Sequence, residues 1–228
     1  MLWANMIGDV TVSAISDINY RDGRSIHGIV NKHPTDQTTP DALKKADFLA
    51  MPLTPVAPTQ DGINVEFKHT MSKINLTIEL GSEYEFTQED VDTKITDVKI
   101  DGSKVEAFYH INTSNYDPQF QFSGHFGDPT PISPYRTGTK PYSKTDGKAK
   151  ATYEAILIPQ TIESGNFTVS FKVDGKLYEW TYNKELTLAS TTAYTLKLTA
   201  GDDKVQPVSF SVAEWGKGNG DGEKKETD

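Results

Sequence analysis

Apolar and polar residues alternate along most of this chain with the two-residue period of a β-strand. The most informative stretch is Asn64 to Leu80, NVEFKHTMSKINLTIEL, because its alternation changes phase. Val65, Phe67 and Met71 occupy odd positions, whereas Ile74, Leu76, Ile78 and Leu80 occupy even ones. Successive strand side chains point to opposite faces, so the slip would turn the apolar set outward. A β-bulge near Ser72-Lys73 restores the register, as does a strand crossing between sheets. Either makes this segment a long edge or corner strand of an all-β protein.

The rest of the chain is read the same way. Asp9 to Ile15 alternates as a strand, and Asn19 to Asp41 is loop-like apart from Ile29-Val30. Pro40 to Asp47 is the one helix the pattern supports. Met51 to Asp61 holds Pro52, Pro55 and Pro58 and reads as a linker or edge crossing. Thr87-Gln88-Glu89-Asp90 resembles a helical turn or loop. Lys94–Ile100 and Lys104–Ile111 flank Asp101-Gly102, which predicts a type I′ hairpin. Residues 112–149 form a polar excursion rich in Gly, Pro and Tyr, of the length that tends to be functional or mobile. Thr152–Ile158 is a strand ended by Pro159. Phe167, Val169, Phe171 and Val173 alternate, turn at Asp174-Gly175, and return through Tyr178, Trp180 and Tyr182. Strands around Tyr194–Leu198 and Val208–Val212 follow, closing at Trp215. Seven or more short strands with turns every ~8–12 residues define a β-sandwich.

The expected organisation is a partial N-terminal β domain with a proline-rich linker over 1–58, a C-terminal sandwich over 59–215, and a polar, disordered tail over 216–228. The 228 residues suffice for a sizeable core. The net charge of −9 and three arginines (Arg21, Arg24, Arg136) argue against a nucleic-acid surface, which needs a basic stripe. No apolar run approaches the ~20 residues of a transmembrane helix. No signal peptide is visible after Met1. The absence of cysteine excludes disulfides, thiolate metal sites and a cysteine nucleophile.

The catalytic inventory is empty: GxSxG, HExxH and Walker patterns do not occur. His27, His33, His69, His110 and His125 have no ligand spacing on one strand face. His69, in phase with Phe67 and Met71, reads as a half-buried histidine hydrogen-bonded beside the phase slip rather than as a base or ligand. Asp202-Asp203 and Glu89-Asp90 lack a calcium-loop context, and Asp221 and Glu223 lack a scaffold. No catalytic residue, cofactor or metal is therefore expected. The row Tyr178, Trp180, Tyr182 could stack on sugars, but it pairs with Phe167–Val173 and reads as core. Tyr116, Phe120, Phe122, Phe126, Tyr135 and Tyr142, all in the long excursion, form a candidate interaction surface or pin the loop down. The sequons at Asn75, Asn112 and Asn166 carry no weight.

Five motifs occur in order: Ala46–Met51 (ADFLAM), Val65–Ile74 (VEFKHTMSKI), Ala155–Gln160 (AILIPQ), Tyr194–Leu198 (YTLKL) and Phe210–Trp215 (FSVAEW). Together they resemble the fimbrillin-like family, the type V pilins and related surface proteins of anaerobic Gram-negative bacteria. The resemblance covers residues 46–215. It implies transthyretin-like β-sandwich domains, export as a lipoprotein to the outer-membrane surface or a fimbria, and assembly with other pilin subunits by donor-strand exchange, a form of β-strand addition. The segment before Ala46 is short for a complete first domain, and no lipidation cysteine is present. The tail after Trp215 lacks the apolar strand a stalk subunit donates, which favours an accepting tip or accessory subunit acting in adhesion. Arg21 and Arg24 are candidate processing sites, since maturation in the family cuts after arginine. A host or glycan ligand fits such a role. A carbohydrate-binding module of a surface glycan-uptake system is the alternative, and exposure of the Trp180 row would favour it. A glycosidase would need two facing carboxylates, and the sequence names no pair.

Overall fold

The computed structural model describes residues 26–50, 68–112, 121–145, 147–201 and 204–215. The expected strand at Asp9–Ile15, the proline-rich linker, Asn64–Phe67 and the polar tail lie outside the described residues.

The described protein is an all-β sandwich with two short helices. One sheet has five strands in the order β15 (Val205–Glu214), β14 (Thr192–Ala200), β4 (Ser72–Leu80), β9 (Lys150–Leu157), β8 (Tyr135–Lys140). The facing sheet has three: β12 (Lys176–Tyr182), β11 (Phe167–Val173) and β5 (Ile95–Asp101). Their inner faces form the main core. Ile74, Leu76, Ile78 and Leu80 of β4 and Leu196 and Leu198 of β14 meet Ile100, Phe167, Val169 and Phe171. Phe167 and Phe171 are fully buried, each contributing roughly 1.5–3 kcal/mol. The short strands β10 (Gln160–Ile162) and β13 (Leu186–Leu188) pair and add Ile162, Leu186 and Leu188 to this core.

The β11–β12 hairpin forms as its alternation predicts. Asp174 and Gly175 both have positive φ, 50° and 81°, as a type I′ turn requires. The Asp101-Gly102 hairpin does not form. Gly102 takes a left-handed φ of 99°, but β5 pairs with β11, while β6 (Glu106–Asn112) leaves for another sheet. In that sheet β6 lies between β1 (Ile26–Lys32) and β7 (Gln121–Phe126). The loop expected over Asn19–Asp41 thus contains β1, and the excursion over 112–149 contains β7 and β8. Their polar alternation is that of outer strands, which cover apolar surface on one side at most.

The phase change in Asn64–Leu80 has a two-part cause. The chain leaves a small ladder, β2 (Leu49–Ala50) with β3 (Lys68–His69), and enters the five-stranded sheet at Ser72. It therefore crosses between sheets, one of the two expected solutions. Beyond the crossing, the sheet is covered on both faces at this end. Met71 and Ile156 lie on its outer face in a second core with Ala46, Phe48, Ala107, Tyr109 and Ile158. Ile74, Leu76, Ile78 and Leu80 point into the main core. The crossing residues are buried and bonded: Thr70 donates to Phe48 O from its amide (3.1 Å) and from Oγ1 (2.6 Å). Ser72 Oγ donates to Ala189 O at 2.6 Å. The edge position expected for this strand is not found. β4 is central, parallel to β14 and antiparallel to β9.

Both helices have local explanations. α1 (Pro40–Ala46) has Pro at its first position and Thr39 as N-cap, accepting from Ala42 N at 3.1 Å. α2 (Gln88–Lys94) has a reciprocal capping box between Thr87 and Asp90 and runs one turn further than the Thr87–Asp90 pattern suggests.

Candidate functional site

The second core is where four of the five sequence motifs meet; the fifth, Tyr194–Leu198, lies in the main core. Asp47 ends α1 and Phe48 follows it; His69 and Met71 flank the crossing; Ile156 and Ile158 end β9; Trp215 ends β15. These residues line or underlie a cleft of about 300 Å³ between α1 and the outer face of the five-stranded sheet. His69 Nδ1 bonds Asp47 Oδ2 at 2.7 Å. The imidazole stacks on the Trp215 indole, with centroids 3.9 Å apart and planes 7° from parallel. Lys73 Nζ lies 5.9 Å from the same indole and pairs with Glu154 at 2.9 Å. His69 is thus the hydrogen-bonded, half-buried histidine the sequence suggests. Its Asp47 partner sets the ring orientation that clamps the end of β15. Among the described residues, no three His, Asp or Glu side chains gather as metal ligands.

Two buried glutamines do the work of missing strands. β8 stops pairing with β9 at Glu154, which would orphan Ile156. Gln37 replaces the strand: Ile156 N donates to its Oε1 at 2.8 Å, and its Nε2 donates to Ile156 O at 2.8 Å. His33 Nε2 also donates to Ile156 O at 2.5 Å, so its proton sits on Nε2. The 3.0 Å approach of Gln37 Nε2 to that nitrogen is then a contact between two donors. Burial lowers the His33 pKa to about 4 despite the Ile156 carbonyl and Asp47, so the ring is neutral. In the same manner Gln160 accepts from Lys104 N and donates to Lys104 O, both at 2.9 Å. The glutamine after Pro159 thereby ties β10 to the loop entering β6. The periodicity of the sequence carries no signal for Gln37; the Pro159-Gln160 motif flags Gln160.

The three-stranded sheet β1–β6–β7 lies over this core. Its inner face contributes Ala107 and Tyr109, with Phe122 packed against Phe48 and Tyr109 at 6.3 and 5.1 Å. Gly124 and His125 together oppose Ala107, a bulge whose first residue, Gly124, has φ 56°. Phe108 and Phe126 flank it edge to face at 4.7 Å, each 37% exposed.

The candidate interaction residues fall in different surroundings. Phe122 lies in the second core, Phe126 stands half-exposed beside Phe108, Tyr135 lines the α1 cleft, and Tyr142 packs on the main core. Tyr116, Phe120, Arg21 and Arg24 lie outside the described residues. Tyr178 is buried, and Trp180 and Tyr182 are half-buried against the main core, where Tyr182 meets Phe210 of β15 at 5.2 Å. The row closes one flank of the sandwich and offers no open platform. On the outer face of β4, burial pushes the Glu79 carboxyl up. Lys197 and Lys148 at 2.7 and 3.0 Å outweigh it and hold the carboxyl below its usual range.

Stacked sheets, glutamines standing in for strands, and outer strands carrying aromatic side chains define an all-β sandwich module. The chain belongs to the fimbrillin-like family, whose profile matches residues 1–215. The fold is similar to that of a candidate cell adhesion protein of Bacteroides ovatus, with a TM-score of 0.57 at 17% identity over 82% of this chain. A candidate cell adhesion protein of Bacteroides uniformis gives 0.56 at 18% identity over 83% of this chain. The chain spans 60% of the first protein's length and 66% of the second's. A search among curated proteins gave no match.

Proposed function

We propose that this protein is a non-enzymatic, exported subunit of surface fimbriae, a tip or accessory component in adhesion, that receives a strand from a neighbouring subunit. The observation that carries this reading is the β1–β6–β7 sheet. Among the described residues it is three strands wide, and its outer strands β1 and β7 each pair on one side. An outer strand is a template for one more, which main-chain hydrogen bonds hold and alternating side chains select. The fimbrillin-like family supports a pilus setting. Outer-membrane attachment and cleavage after Arg21 or Arg24 belong to the same reading.

A peptide of alternating apolar residues, patterned on a pilin's terminal strand, tests it. Titrated into the protein, it should raise the melting temperature saturably by several degrees, as a ligand of the folded state does. It should also protect β1 or β7 amides from exchange. Absence of any shift in a cooperatively melting protein refutes strand acceptance. Binding on a glycan array without peptide binding would point to the carbohydrate-binding module instead.

A further inference from the structure

Among the described residues the five-stranded sheet has two outer strands, and they differ. β8 carries Arg136 and Lys140, and the Arg136 guanidinium latches it to Asp92 O, Ile95 O and Tyr153 Oη. β15, at the other side, carries no charge from Val205 to Ala213. Sheets usually guard an exposed outer strand with charges, prolines or bulges. In β15 such devices occupy only the first half: Pro207 opposes Leu198 and Val208 is the extra residue of a bulge. Ser209 to Glu214 is a regular strand.

The hydrogen-bond phase of that half follows from one contact. Trp215 N donates to Thr191 O at 2.7 Å, so Trp215 faces β14. Antiparallel ladders alternate, so Ala213 and Ser211 also face β14. Val212 and Phe210 aim their amides and carbonyls away from the sheet. Their side chains share the inner face with Tyr194 and Leu196, their partners in the register. Tyr194 and Leu196 are buried, but Val212 is 58% exposed. An uncharged strand thus presents outward hydrogen-bonding groups on either side of a large exposed apolar residue.

We propose that β15 pairs with β15 of a second copy of this chain, antiparallel, across a two-fold axis at Val212. The axis places Val212 against its own copy and Phe210 opposite Glu214, and it leaves Pro207 and the bulge outside the new ladder. The residue on a two-fold axis meets itself and its neighbours meet one another across it, so a charge beside the axis stands next to its own copy, and like charges that close are destabilising. The lack of charge over Val205–Ala213 meets that requirement, whereas the arginine and lysine of β8 do not. The two five-stranded sheets become one continuous ten-stranded sheet. This contact is separate from the strand addition proposed at β1–β6–β7, and each stands without the other.

The chain has no cysteine, so Val212→Cys gives a single thiol at the axis. Opposed Cβ atoms there lie about 4.5–5.5 Å apart, within reach of a short thiol–thiol cross-linker. Cross-linking of Val212→Cys should exceed that of Leu177→Cys, 62% exposed on β12, by about tenfold or more, since pairing raises the local concentration. Sedimentation of the parent protein from micromolar to millimolar concentration should show a monomer–dimer equilibrium. Val212→Lys should abolish it without lowering the melting temperature, because the side chain is mostly exposed. A monomer throughout, a dimer that survives Val212→Lys, or equal cross-linking of the two thiols each overturns the proposal. None of these outcomes bears on the peptide titration.

Discussion

Gln37 is the residue whose removal should do most damage for its size. It is fully buried and forms a two-bond amide pair with Ile156, both bonds at 2.8 Å. Gln37→Met keeps nearly the same volume and removes both polar atoms, so packing is conserved. The Ile156 carbonyl retains His33, but the Ile156 amide loses its acceptor in a place that water does not reach. A buried, unsatisfied amide costs about 1–3 kcal/mol, and the lost bonds from Gln37 Nε2 to Ile156 O and Pro34 O add about 1 kcal/mol. The expected loss is about 2–4 kcal/mol. For a chain of this size that lowers the melting temperature by about 4–15 °C. Urea unfolding followed by tryptophan fluorescence gives the free energy, with an unchanged m-value showing that the compactness of both states is conserved. Gln206→Met, exposed on β15, should stay within about 0.5 kcal/mol of the parent. If Gln37→Met does so too, the amide pair is not what holds the end of β9.

Three further outcomes are expected. His33 has a folded pKa of about 4 against 6.5, so the unfolded chain takes up its proton first as pH falls. The stability tied to the neutral ring is complete above pH 6.5 and disappears by about pH 4, amounting to about 3 kcal/mol. His33→Gln should flatten the difference profile across that window, and a parallel profile would show that another group is responsible. Trp180→Ala should destabilise by about 3 kcal/mol, because the ring seals the β12 flank; an unaltered unfolding midpoint would mean the ring lies free. Gly102→Ala meets both a φ of 99° and the backbone carbonyl oxygen of Asn166, which the new Cβ would overlap. A loss of at least about 2 kcal/mol should follow, and a melting curve like the parent's would refute the clash.

How far the sequence could be read depended on what set each element. The β11–β12 hairpin was legible because local turn chemistry and alternation agree at Asp174-Gly175. At Asp101-Gly102 the same dipeptide signal misleads. Gly102 takes the expected backbone conformation, but the strands on either side find better partners far along the chain. The phase change left a bulge or a crossing near Ser72-Lys73 open, and the crossing is what forms; its other cause, a second core on the outer face, needs α1, β6 and β9 in place. The motifs were legible as a series without any hint that four of them meet in space. Asp47, His69, Ile156, Ile158 and Trp215 prove to be neighbours. Gln37 gave no signal, since a polar residue in a loop reads as solvated until the unpaired strand end beside it is seen.

The parallel pairing of β4 with β14 sets a condition on how the molecule forms. Residues 72–80 receive one neighbour from residues 150–157 and the other from residues 192–200. The central strand of the main sheet therefore waits for more than half of the chain. Such high contact order places folding in the millisecond-to-second range and well after local hairpins have closed. A nascent chain stopped before residue 192 keeps an apolar β4 edge open, the kind of surface that recruits chaperones or other strands. Completion of the main sheet is thus tied to the arrival of residues 192–200.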